Sequence, residues 1–251
     1  MPEKYLRTSD IAREIGCHPN TVRLYEEWGH IPKVERSRSN YRLFTKTHLE
    51  HMRLAWTALS GSYPGKTLKR SAYAVVRQAA SGDLGGALEM AYSHLALVKA
   101  ERAQAEAAAE LLERWSQGTT TDATSGSLQI GEAARLLKVS RDMLRNWEQN
   151  GLISVPRASN GYRKYGAPEI GRLRVIRMLV RSGYSMMAIL RMLLQLDQGE
   201  VVDVRQALDT PREDEDIFTA ADQWLSTLAT QAEKGSAMII RLEAMIDTLA
   251  A

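Results

Sequence analysis

Apolar and polar residues recur at helical spacing along most of this chain, and the helices they predict form two matching sets. Ile130 to Leu137 is a short amphipathic run with Ala133, Ala134 and Leu137 on one side. Lys138-Val139 reads as a tight turn, and Ser140 is placed to cap a second helix reaching to about Gln149. The same plan opens the chain. A helix is expected from about Ser9 to Ile15, Gly16-Cys17 supplies the turn, and His18 precedes Pro19 at the first helical position. Two short helices so joined predict a helix-turn-helix, whose second helix is sized for the DNA major groove.

Gly29 and Gly151 stand where a left-handed residue would end each recognition helix. A loop rich in turn residues and bearing arginines follows each: Pro32 to Asn40, and Ser154 to Gly161. Turn residues between short extended segments predict a β-hairpin wing, from which Arg36, Arg38 and Arg157 could reach phosphates or the minor groove. Beyond each such unit lies a helix with one sticky face. In the first, Leu88, Ala91, Leu95, Val98, Ala105, Ala108, Leu112 and Trp115 form a heptad stripe broken at Arg102. The second is expected over 210–249. It opens on a capping pattern at Thr210-Pro211-Arg212-Glu213 and carries Ala221, Trp224, Leu228, Met238, Leu242, Met245 and Leu249.

The two sets are copies of one another. Adding 122 to Thr21–Ile31 gives Met143–Ile153, with arginine, aromatic, glutamate, glycine and isoleucine coinciding; Asn40-Tyr41-Arg42 answers Gly161-Tyr162-Arg163 at an offset of 121. A one-residue change belongs in a turn, and several ordered matches indicate duplication. The charge follows the repeat. Residues 1–72 carry 13 Lys/Arg against 7 Asp/Glu, and 73–125 carry 4 against 7. Residues 126–198 carry 12 against 5, and 199–251 carry 4 against 11. Two basic modules separated by acidic segments point to a polyanionic partner for each copy. The helix tips differ completely: His18-Pro19-Asn20-Thr21 against Ser140-Arg141-Asp142-Met143, so the copies should prefer different half-sites.

These motifs resemble the DNA-binding domain of the MerR family. In the second copy they are Ile130-Gly131-Glu132-Ala133-Ala134, Leu144-Arg145, Trp147-Glu148, Gly151-Leu152-Ile153, Gly161 to Tyr165, Ile170 to Ile176 and Gly183-Tyr184-Ser185. The first copy is looser but similar, with Thr21-Val22-Arg23, Tyr25-Glu26 and Tyr41-Arg42-Leu43-Phe44; Gly61 to Thr67 replaces the compact Gly-Tyr-Ser turn. The tandem arrangement resembles the TioE-like subgroup. The resemblance implies a mainly helical (all-α) protein of two winged helix-turn-helix domains, each followed by a coiled-coil helix. It implies a sequence-specific transcriptional regulator of double-stranded DNA that distorts its promoter, acts beside RNA polymerase and answers to a small-molecule effector. Arg23 and Arg145 look like the DNA-contacting arginine, Tyr25 and Trp147 like a backbone-packing aromatic, and Tyr41, Arg42, Tyr162 and Arg163 like wing residues gripping phosphates. His18, Asn20, Thr21, Ser140 and Arg141 at the helix tips, with Arg36, Arg38, Arg157 and Lys164 on the wings, complete the expected interface.

The expected division is 1–75 for the first domain, 76–116 for its helix, 117–127 for a linker, 128–198 for the second domain and 199–251 for an acidic connector with the last helix. An antiparallel pairing of the two long helices needs a linker reach of roughly 20 Å. The expectation is an intrachain pseudodimer, the alternative being a homodimer displaying four units. An architectural, excisionase-like DNA bender and a ligand-binding scaffold with a degenerate first copy are the other functions this pattern allows.

The remaining signals are weak. One cysteine, Cys17, fits a reducing compartment and a small turn residue better than a metal site. His48 and His51 lie three apart without a third ligand and are expected on a solvated or DNA-facing helix. Met178, Met186, Met187 and Met192, with Trp56, Trp115 and Trp224, read as core before they read as a drug pocket. No nucleophile–base constellation, cofactor motif, signal peptide or membrane span is visible, so a cytoplasmic, nucleoid-associated non-enzyme is expected.

Overall fold

The computed structural model describes residues 5–63, 65–117, 126–199, 203–211 and 222–250. The chain divides into two compact units, Met1–Ala100 with Thr227–Ala251, and Glu101–Ser226.

The first unit begins with α1 (Thr8–Ile15) and α2 (Pro19–Glu27). Asp10 accepts from the Arg7 backbone N–H at 2.9 Å, closing the first turn of α1, and Gly16 ends it at φ 74°. His18 caps α2, its Nδ1 accepting from the Asn20 backbone at 3.1 Å. The wing is β1 (Glu35–Arg36) antiparallel to β2 (Arg42–Leu43), and Leu6 pairs with Phe44 beside it. Then come α3 (Lys46–Leu59), α4 (Gly65–Ala80) and the first half of α5 (Leu84–Ser116).

The second unit repeats the plan with α6 (Ile130–Leu137), α7 (Arg141–Gln149), α8 (Ala167–Arg181) and α9 (Met186–Asp197), adding α10 (Val204–Asp209). Ser140 caps α7 by accepting from Met143 at 3.0 Å. The second half of α5 belongs here, with Ala105, Ala109 and Leu112 fully buried and the Tyr184 hydroxyl donating to the Ala105 carbonyl at 3.1 Å.

The last helix, α11 (Trp224–Ala250), returns to the first unit. Its Met238, Ile239, Leu242 and Met245 share one core with Leu84, Ala87, Ala91 and Leu95 of α5, and with Met52, Ala55 and Val75. Tyr92 of α5 donates to Glu243 of α11 at 3.0 Å. Among the described residues no helix is long and apolar enough to cross a membrane.

Three expectations change. Thr210 does not open the final helix; it ends α10 in an extended conformation (φ −121°, ψ 104°), and α11 starts at Trp224. The following Pro211 is the cause, because a proline ring clashes with the residue before it in the helical region. Arg212 and Glu213 of the expected capping pattern, Ala221 and most of the expected linker (118–125) lie outside the described residues. His51, expected on a solvated or DNA-facing surface, is buried. It bridges the Thr47 carbonyl at 2.9 Å and the Ala79 carbonyl at 3.1 Å, tying α3 to α4. Met187 is exposed on the first turn of α9, while Met192 and Trp224 are core as expected. Cys17 is half-buried in its turn.

Two further histidines of the first unit are buried, His30 and His94. Burial holds both below the ordinary imidazole value, with Arg77 adding to the effect at His30. The unfolded chain therefore takes up these protons first. Their contribution to stability is complete above about pH 6.5 and is lost as the pH falls toward the folded values. The thermal midpoint should be lower at pH 5 than at pH 7.5, and His94→Leu should flatten that dependence. An unchanged slope in the variant would remove His94 from the account.

Candidate nucleic-acid interface

Each recognition helix is held by the same local bonds. Gly29 (φ 69°) donates to Glu26 O at 3.0 Å while His30 donates to Tyr25 O at 2.8 Å. Gly151 (φ 75°) donates to Glu148 O at 3.0 Å and Leu152 to Trp147 O at 3.0 Å. This paired closure satisfies the last carbonyls and turns the chain sharply toward the wing. The wing tips also match. Ser37 and Tyr41 close one turn at 2.8 Å around Asn40 (φ 62°), and Ala158 and Tyr162 close the other at 2.8 Å around Gly161 (φ 79°).

On α2, His18, Asn20 and Arg23 are exposed and Thr21 is half-buried; on α7, Arg141 and Arg145 are exposed, after Ser140 at the cap. Tyr41 and Tyr162 stand out at the wing tips, 73% and 69% exposed, flanked by Arg36 and Arg38 on one wing and Arg157 and Lys164 on the other. Each set thus places cations and aromatic hydroxyls around one short helix, a surface suited to phosphates and base edges.

Four of the expected site residues turn inward. Tyr25 and Trp147 are core, 8% and 2% exposed, so they support the recognition helix and do not face a partner. Tyr25 packs edge-on against His30 at 5.4 Å, and burial pushes its hydroxyl up to about 12. Helical spacing explains the placement: the aromatic follows the buried Val22 or Leu144 by three positions and shares its face. Arg42 and Arg163 are largely covered. Arg42 is ion-paired to Glu26 and lies 3.7 Å from Glu27, and Arg163 is paired to Glu148 at 2.6 Å. These pairs join each wing to its recognition helix, leaving the remaining guanidinium edge as the part available to a phosphate.

Three acidic residues outside the expected set of contacts belong to this surface: Glu26, Glu148 and Asp142. A signal for the first two was present, since both coincide in the repeat. Asp142 had none. It holds Arg145 at 2.8 Å on the exposed face of α7, whereas Arg23 of α2 has Asn20 at the matching position and no ion-pair partner among the described residues.

The model for MerR HTH family regulatory proteins matches residues 6–71 and again 128–196. The chain belongs to the MerR family. Both winged units are MerR domains, and the protein is a DNA-binding transcriptional regulator, not an enzyme. Among its relatives, a "Probable heavy metal-dependent transcriptional regulator" of Haemophilus influenzae is 29% identical over 117 residues, 46% of this chain and 83% of that protein. The HTH-type transcriptional regulator HmrR of Sinorhizobium medicae is 42% identical over 59 residues, 23% of this chain and 40% of that protein. No solved structure matches the chain.

Proposed function

We propose that this MerR-family protein reads an asymmetric operator, one half-site per copy, and distorts promoter DNA beside RNA polymerase. The observation that carries the asymmetry is the contrast between the helix tips on matched scaffolds: Asn20 beside Arg23, which has no ion-pair partner among the described residues, against Asp142 clamping Arg145. A carboxylate so placed repels phosphates and releases its arginine only to a site that offers a better partner, such as a guanine edge. Arg145→Ala should cost about 1–3 kcal/mol of specific binding, at one half-site only. Asp142→Asn should tighten binding to unrelated sequences several-fold. Selection from random DNA should yield a non-palindromic site; a palindrome, or no selected site, would sink the reading.

We further infer an intrachain pseudodimer, acting in the cytoplasm at the nucleoid. The support is that α11 of the chain itself covers α5 in the first unit, a face a second copy would otherwise have to cover. Light scattering should give one chain mass, 28.1 kDa, and twice that mass would restore the homodimer. The metal dependence in the relative's name is not carried over, because thiolate sensing needs several sulfurs and this sequence has one cysteine.

A further inference from the structure

The first unit contains a cavity of about 660 Å³ between the start of α3 and the C-terminal half of α11. Leu84 and Met245, both buried, form its floor, and Ile240 and Leu249 its exposed apolar rim. Two cations border it, Lys46 and Arg241, and neither has an ion-pair partner among the described residues. The nearby Glu50 is already engaged by Arg53 at 2.7 Å. The volume lies within the range of about 300–1,000 Å³ usual for small-molecule sites.

The duplicate shows that the MerR frame does not require this space. At the offset of 121, Glu50 corresponds to Gly171, and Trp115 of α5 lies against that glycine, its Nε1 3.6 Å from where a Cβ would stand. The buried set Gly235, Met238, Ile239, Leu242 of α11 has the spacing of Ala105, Ala108, Ala109, Leu112 of α5. Aligned on it, Trp115 corresponds to Met245 and Arg241 to Leu111; at the offset of 121 Lys46 corresponds to Ala167 and His51 to Arg172. At this place the first unit has Met245 in place of an indole and gains Lys46, Arg241 and Glu50, the last engaged by Arg53, while His51 stands where the second unit has Arg172.

We propose that this cavity binds an amphipathic organic anion, an apolar chain or ring system ending in a carboxylate. Leu84, Met245, Ile240 and Leu249 would take the apolar body, and Lys46 and Arg241 the charge. Lys46 opens α3, whose His48 contacts the Lys33 carbonyl at 3.4 Å beneath the wing, so occupancy bears on the DNA-facing loop. That consequence rests on the regulator reading; the binding itself does not.

The test uses the full chain without DNA. Decanoate should bind saturably, one per chain, and displace anilinonaphthalene sulfonate, while decylamine should do neither. Lys46→Gln and Arg241→Gln should each weaken decanoate roughly tenfold. Thr248→Trp, which puts an indole into the space that Thr248 lines, should abolish binding. Equal binding of the amine, full affinity in both charge variants, or retention in a folded Thr248→Trp would each overturn the proposal. So would a doubled mass that Ile240→Glu returns to one chain, because the groove would then be a contact between copies. If Thr248→Trp fails to fold, the two charge variants decide alone.

Discussion

Trp147→Ala should lower the unfolding free energy of the second unit by about 3–5 kcal/mol, because the indole is 2% exposed and its loss leaves a cavity beneath α7. Trp147→Phe should keep most of that stability and leave DNA affinity unchanged. Chemical denaturation of both variants, with binding measured on the folded fraction, separates support from contact. A Phe variant of native stability that loses specific DNA would return Trp147 to the interface.

Gly183→Ala should cost about 2–5 kcal/mol by the same measurement. Gly183 has φ 96° in the turn between α8 and α9, and a Cβ there would overlap the ring of Trp224. Backbone strain and overpacking act together. The matching Gly61→Ala is the control: its φ is 83°, but a Cβ would meet only the flexible end of Lys234, at 3.2 Å. Strain alone, about 1–2 kcal/mol, is expected there. Equal losses at the two positions would show that Trp224 moves aside at no cost.

Much of this architecture is legible in the residues. The duplication, the caps His18 and Ser140, and the helix-ending glycines Gly29 and Gly151 are local chemistry, decided within a few residues of each position. The same holds for the exposed Arg23 and Arg145. What periodicity cannot decide is which of two neighbouring polar-tipped side chains turns inward. Tyr25 and Arg42 carry groups suited to DNA, yet the buried Val22 face takes one and Glu26 takes the other.

Residue patterns alone establish two copies of one scaffold with different helix tips. Which helix covers which is a matter of long-range packing. Tyr92 and Glu243 meet although 151 positions separate them, and no local pattern encodes so distant a pairing. The cavity above Leu84 arises from that same return of α11. Beside it Met245 stands where the duplicate has Trp115, a difference that acquires meaning once both helices lie against their own α3 or α8.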